Sequence, residues 1–296
     1  MTLRHLNIFV AVYQNQSITK AAGQLHIAQP SVSRAVRELE EFYGSPLFDR
    51  IGRHIHVTDQ GKILYEYAIH IVDLFGDMEK KLRNGDSSGI LKVGSSITIG
   101  NLILPEVVSR FREKYPQMKV HVIVKNTATI EQYVMDNKID FAFIEGESIQ
   151  PQIRRVPFMN DRLCFVCAPN HPMALKEKIT LEDVAHEDFL LREQGSAGRD
   201  IMESIFTLHH LQPEPTWEST STQAILKALE HGLGVSILPY MLVKSQLEKG
   251  TLIERKIEKT SFNRQFSVIY HTNKYLTPLA KRFMEMCRQY AEEEMA

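Results

Sequence analysis

Two groups of residues in this chain of 296 have the types and spacing to do chemistry. The first lies in residues 1–37, where Arg4, Lys20, Arg34 and Arg37 stand without one Asp or Glu, and acids begin only at Glu38. The chain as a whole is balanced, 35 Lys+Arg against 36 Asp+Glu, so an acid-free stretch of that length marks a surface that meets an anion. Within it, Gln29, Ser31, Ser33, Arg34 and Arg37 face outward from the start of one helix. Short polar side chains let such a helix sit deep in a DNA major groove, while arginine reaches guanine acceptors or phosphates.

The second group is rich in hydroxyls and sits where apolar, strand-like runs end or helices begin. It comprises Ser95, Ser96 and Thr98, then Asn126-Thr127, Glu145-Gly146, Arg192 to Arg199 with Ser196, and Glu218 to Thr222. Several helix starts facing one cleft would offer free backbone N–H groups and positive dipole ends, a setting for a carboxylate or another small oxyanion. Ordinary helix capping is the bland reading of each Ser and Thr taken singly. Glu145 is discordant, because a carboxylate repels an anion unless Arg192 or Arg199 pairs with it; otherwise it binds an amine or lies outside the pocket.

Enzyme chemistry finds little support. Gly232-Leu-Gly-Val-Ser236 has the wrong spacing for a nucleophile elbow, and no second histidine follows His186-Glu187 at metalloprotease spacing. Cys164 and Cys167 are three apart in a strand, so they point to opposite faces and read as core thiols rather than as half a zinc site. No dinucleotide or P-loop fingerprint appears, and neither a metal nor a cofactor is expected.

The elements that must position these residues are legible. Leu3, Leu6, Phe9, Val10 and Tyr13 share one helix face; Ser17 or Thr19 can cap a short second helix holding Ala21, Ala22 and Leu25. After a turn at His26-Ile27-Ala28, Pro30 opens a third helix with Val32, Val36 and Leu39 inward. A solvated helical bundle fits that pattern equally well until Arg50 to Val57, which reads as a β-hairpin wing with Arg50 and Arg53 placed to reach DNA. The expectation is a winged helix-turn-helix over residues 1–58. Thr58 can cap a long helix ending at Asn84-Gly85, on which Leu64, Ala68, Ile71, Phe75, Met78 and Leu82 repeat at heptad spacing. Packing on its own domain is one reading; a two-chain coiled coil, with 59–89 as dimerisation helix and hinge, fits better. From Ile90 short apolar strands alternate with helices, the grammar of an α/β sheet covered on both faces.

The runs Ser17-Ile-Thr-Lys-Ala-Ala, Gln29-Pro-Ser-Val-Ser-Arg, Leu39-Glu, Pro46-Leu-Phe and Val57-Thr-Asp-Gln-Gly61 look like the DNA-binding domain of the LysR-type transcriptional regulators. That resemblance implies that Gln29, Ser31, Ser33, Arg34 and Arg37 face DNA, with Arg50 and Arg53 on the wing. It implies a two-lobed, periplasmic-binding-protein-like effector domain over 90–296, with lobe I at 90–162 and 266–296, lobe II at 163–265, and hinge strands near Asp161 and Arg264. Family members that sense sulfur oxyanions use hydroxyls matching Ser96, Thr98 and Ser196. The implied partners are promoter DNA, a small anionic effector, further copies of the chain as a dimer or tetramer, and RNA polymerase. A transferase-like enzyme on the same scaffold and a DNA-architectural protein are the competing classes. The first leaves the acid-free segment unexplained; the second has no need of a cleft domain.

Composition bounds all of this. Hydrophobic residues at 43% and charged residues at 24% are a globular mix, and the length suggests about two domains. Through Lys62, Arg4, Lys20, Arg34, Arg37, Arg50, Arg53 and Lys62 stand against Glu38, Glu40, Glu41, Asp49 and Asp59, seven to five. Bulk charge therefore cannot drive DNA binding, and a few placed arginines must. Three cysteines, no long apolar segment and no cleavage-site pattern at the start suggest a cytoplasmic protein with no membrane partner.

Overall fold

The computed structural model describes residues 1–51, 54–84 and 89–295. The chain divides into two compact units, Met1–Gly89 with Asn273–Tyr275, and Ile90–Thr272 with Leu276–Ala296.

The first unit begins with α1 (Leu3–Asn15), α2 (Ile18–Leu25) and α3 (Gln29–Tyr43). Ser17 caps α2 by accepting the Lys20 N–H, and His26 ends it in the left-handed conformation at φ 53°. A three-residue turn then leads into α3, with Pro30 in its first turn and Gly44, at φ 66°, closing it. Phe9, Val12, Ala21 and Val32 are all fully buried where these helices cross. The wing follows as β1 (Phe48–Ile51) and β2 (His54–Val57), antiparallel with Phe48 opposite Val57. Thr58 then caps α4 (Asp59–Asn84), its Oγ1 accepting the Gly61 N–H at 3.0 Å. The opening turns of α4 are a wall of this core, since Tyr65 stacks on Tyr13 at 3.6 Å between ring centroids.

The second unit opens with β3 (Gly89–Ser95), α5 (Ile97–Leu102), α6 (Leu104–Lys114), β4 (Met118–Val124), α7 (Thr127–Met135) and β5 (Phe141–Glu145). Next come the long β6 (Ile153–Cys167), α8 (Pro172–Leu175), α9 (Leu181–Ala185), β7 (Phe189–Arg192), α10 (Ala197–Leu208), β8 (Pro215–Ser219) and α11 (Thr222–Glu230). It closes with β9 (Val235–Pro239), α12 (Tyr240–Glu248), β10 (Ile253–Arg255), β11 (Phe262–His271) and α13 (Pro278–Met295). One sheet joins them in the order β4-β3-β5-β11-β6-β9-β7-β8, with β10 also on β6. Cores lie on both faces of each half, around Phe111, Phe141 and Phe283 on one side and Phe189 and Phe206 on the other. Only β6 and β11 belong to both halves. They pair antiparallel from Phe262 opposite Leu163 to His271 opposite Ile153, with an irregularity between Phe266 and Ser267.

Several elements exceed their sequence signals. Apolar patterning marks only Leu163–Cys167 of β6, because its first ten residues, IRRVPFMNDR, do not alternate. Pairing with β11 makes them a strand. Strands β8 and β10 and helix α8 are short pieces with little pattern of their own, while β7 is a four-residue run, FLLR, and α9 a single turn opened by a Thr180–Asp183 capping box.

Gly61 explains one of the spaced motifs. A Cβ at that position would lie 2.3 Å from the Leu47 carbonyl oxygen, so α4 can pass the bundle-to-wing junction only without a side chain. Gly61→Ala should therefore destabilise the amino-terminal unit by about 1–3 kcal/mol through overpacking. Thermal unfolding followed by circular dichroism reads this directly, and an unchanged midpoint would contradict the packing account.

Candidate nucleic-acid interface and ligand cleft

On α3 the inward residues Val32, Ala35, Val36 and Leu39 are buried, which leaves Gln29, Ser31, Arg34 and Arg37 exposed and Ser33 half-buried. These positions share one accessible face of the third helix, and α1 and α2 buttress the other. Glu40 ties α3 to the wing: its Oε1 accepts the N–H groups of Leu47 at 2.9 Å and Phe48 at 3.2 Å. Arg50 lies on β1 opposite Ile55, its side chain outside the described set, and Arg53 lies outside the described residues.

The heptad residues of α4 divide into two groups. Ala68 is fully buried in the core of its own unit, and Leu64 packs against the same core. Neither is placed on an outer seam. Ile71, Phe75, Met78 and Leu82 are exposed, and with Ile63, Tyr67 and Leu74 they form a longer apolar stripe. Ala68 is thereby withdrawn from an outer face, because the opening turns of α4 carry apolar residues for two different faces. Of the expected hinge, residues 86–88 lie outside the described residues and Gly89 begins β3.

In the second unit Ser95, Ser96, Thr98, Glu145, Ser196 and Thr222 are buried, whereas Asn126 is half-buried and Glu218, Thr220 and Ser221 are exposed. Glu145, at the end of β5, points its carboxylate into the start of α5. Oε1 accepts the Ser96 hydroxyl at 3.0 Å and the Thr98 N–H at 2.9 Å, while Oε2 pairs with Arg264. Arg192 and Arg199, two arginines that could have paired with Glu145, are committed elsewhere. Arg192 forks onto Glu193 and donates to Thr222 Oγ1 at 3.1 Å. Arg199 binds Glu203, Glu218 and the Arg192 carbonyl. The β6–β11 pairing, which carries Arg264 to Glu145, is invisible in a linear pattern.

Arg264 stands in register opposite Asp161 across β11 and β6 and binds its Oδ2 through Nε at 2.8 Å and Nη2 at 2.6 Å. Nη2 also reaches Thr98 Oγ1 at 3.2 Å. The Arg264 side chain has no exposed surface. Burial alone would push the Glu145 carboxyl up; Arg264 and the bonds from Thr98 and Ser96 together hold it below its ordinary value. The start of α5 is thus filled by an internal anion. Ser95 is turned away, its hydroxyl donating to the Ser96 carbonyl.

The two halves of the sheet also meet at the helix starts. The Asn126 amide donates to the Gln194 carbonyl at 3.3 Å, and the Ala128 N–H donates to the Gly195 carbonyl at 3.2 Å. A Cβ on Gly195, at φ 80°, would come within 2.9 Å of Ala128 Cβ, and Gly146, at φ 79°, sits under Ala197. Beside this latch lies a cavity of about 890 Å³ between α7 and α10, floored by the paired strands β6 and β11. Thr127, Glu131, Arg155, Asp200, Ile201 and Arg264 are among its walls. Burial pushes the Glu131 and Asp200 carboxyls up, and the Asp200 charge adds to the effect at Glu131. Ser196 begins α10 without a side-chain cap bond, whereas Asn126 and Ser221 cap α7 and α11. Sequence reading missed Arg155, Glu131 and Asp200, since nothing in their neighbourhoods distinguishes them from surface charges. Cys164 and Cys167 pack into cores on opposite faces of the sheet, where burial pushes their thiols up to about 12 and about 11.

Arg264→Ala would leave Glu145 and Asp161 buried without a counter-ion, and should cost about 3–5 kcal/mol of stability. Urea unfolding of the full chain, read by its single tryptophan, Trp217, checks this. Glu145 adds a pH signature. A carboxyl held below its ordinary 4.5 contributes fully above that pH, and the contribution fades as acid protonates it in the fold. Glu145→Gln should flatten that acid limb of the stability profile.

The first unit matches the family model for a bacterial regulatory helix-turn-helix protein of the lysR family over residues 3–62, and the second matches the LysR substrate binding domain over residues 84–292. Among curated relatives, the uncharacterized HTH-type transcriptional regulator YeiE of Escherichia coli is 34% identical over 287 residues, 97% of each chain. A full-length OxyR variant from Pseudomonas aeruginosa shares the fold with a TM-score of 0.69 at 23% identity, over 99% of this chain and 95% of that one. The regulatory domain of CcmR from Synechocystis PCC6803, in complex with 2-PG, does so with a TM-score of 0.64 at 23% identity, over 69% of this chain and 98% of that one. The reading helix, the wing, the long helix and the strand-linked α/β halves therefore belong to one known assembly, and the chain is a member of the LysR family of DNA-binding transcriptional regulators.

Proposed function

We propose that the effector of this regulator is a small anion that also donates hydrogen bonds, bound between the two halves of the second unit. The cavity of about 890 Å³, walled by both halves and floored by the strands that join them, carries this reading. An occupant there touches both sides of any hinge motion, as differential binding requires. The uncapped start of α10 and the Arg155 guanidinium suit the negative group. Glu131 and Asp200 suit a hydroxyl or protonated group on the same ligand, since they accept hydrogen bonds and repel a bare anion. Glu145 is a poor receptor for an anion, because it already occupies the start of α5. The CcmR domain, alike in fold, holds 2-PG, which supports a small ligand in this domain.

Two such chains, joined along the α4 stripe, would present two reading helices to half-sites one DNA turn or a multiple apart. Ligand binding would shift the packing of effector domains, and so the spacing or bend between DNA-bound pairs and the contact with RNA polymerase.

A thermal-shift panel of small carboxylic acids, phosphorylated acids, inorganic oxyanions and matched amines, applied to the full chain, tests the ligand class. A true effector at a hundredfold excess over its Kd adds about 2.7 kcal/mol of stability. Ile201→Trp, which fills the cavity, should abolish that shift while leaving operator affinity intact. Stabilisation by amines alone, or a full shift in the Ile201→Trp protein, would overturn the reading. For the dimer, Ile71→Asp combined with Met78→Asp should yield monomers in sedimentation and a loss of operator affinity of at least about tenfold, whereas persistent dimers would refute the stripe.

A further inference from the structure

The first acidic residue of the chain, Glu38, lies on the reading helix and is held from two sides. Its Oε1 accepts from Arg34 Nε at 2.7 Å, and its Oε2 meets His5 Nε2 at 2.9 Å. The other ring nitrogen, Nδ1, is held by Thr2, 3.1 Å from its N–H and 2.8 Å from its Oγ1, which fixes the ring with Nε2 aimed at Glu38. A carboxylate fixed from α1 through one oxygen thus holds an arginine of α3 through the other.

The consequences for Arg34 follow from guanidinium geometry. Only its Nε edge is engaged, and its side chain is 81% exposed, so the terminal Nη1 and Nη2 groups remain available. Two parallel N–H groups are what a guanine edge requires. Restraint along the helix removes rotamer freedom before DNA arrives, which favours one directed contact. The neighbouring carboxylate also cancels much of the Arg34 charge as seen by phosphates, the source of sequence-independent affinity. A few arginines must do the reading in this unit, so the aim of one of them matters.

We propose that Glu38 is a specificity-determining positioning residue: backed by His5, it directs Arg34 toward a base edge and withholds it from the phosphate backbone. The inference rests on α3 being the reading helix and goes beyond it, by assigning a role to an acid on that helix.

The test uses the full chain. A preferred duplex is first selected from a random-sequence library by the unaltered protein, and a scrambled duplex of equal length serves as the non-specific probe. Affinities for both are measured across a KCl series. Glu38→Gln, nearly isosteric, should tighten binding to the scrambled duplex, steepen its log–log salt slope by up to about one, and lower the preferred-to-scrambled ratio by about tenfold. Glu38→Asp keeps the charge but falls short of Arg34, so it should lose discrimination with no change in slope; it also carries the test if the Gln variant fails to fold. His5→Phe should move the ratio in the same direction by a smaller factor. The decisive arm is the double variant. With Arg34→Ala already present, Glu38→Gln should change the ratio no further, because the proposed action passes through Arg34. An unchanged ratio in both single Glu38 variants, or an undiminished effect of Glu38→Gln in the Arg34→Ala background, would overturn the proposal. If no duplex is enriched at all, sequence reading by α3 fails, a result distinct from failure of the Glu38 role.

Discussion

A guanidinium with no exposed surface, set between two buried carboxylates, is the constraint on which the second unit depends. Arg264 cannot relinquish Asp161 or Glu145 without leaving a desolvated charge behind. Its bond to Asp161 locks β6 and β11 together at their crossing between the two halves. Its bond to Glu145 holds a carboxylate against the start of α5, where it accepts the Thr98 N–H. One side chain therefore joins β6, the end of β5 and the start of α5.

A comparable constraint governs the first unit. With so few basic residues, binding to a polyanion cannot rest on bulk attraction. The structure compensates by rigidity: α3 is buried along its inner side, Glu40 ties it to the wing, and the aromatic stack of Tyr13 on Tyr65 couples α1 to α4. The proposed pairing along the apolar stripe on the rest of α4 would add a second copy of that helix without any added charge. Acidic residues in this unit are placed as carefully as basic ones, as the two restrained oxygens of Glu38 illustrate.

Much of the first unit was legible from local patterning. Helices α1 to α3, their inner stripes, the Ser17 cap and the wing all follow from 3.6- and 2-residue periods, turn residues and a proline at a helix start. The heptad on α4 showed that its face is apolar, but a period does not report which neighbour covers it. Ala68 and Leu64 repeat in phase with Ile71 and Phe75, yet only packing against α1 turns the first pair inward. In the second unit most apolar strands were visible, while β8 and the first part of β6 were not, because their partners rather than their own residues make them strands.

What the sequence determined alone was therefore everything set by near neighbours: the reading helix and its exposed polar residues, the long helix, the α/β grammar, and hydroxyls at strand ends. Tertiary structure decided the electrostatics of the cleft. Glu145 and Arg264 are 119 residues apart, and Arg192 and Arg199 were closer candidates in the chain. Coulomb attraction in a buried site depends on distance through space and on which charges lose their water together. Only the pairing of β6 with β11 sets those distances, so the partner of Glu145 could not be read until the chain was folded.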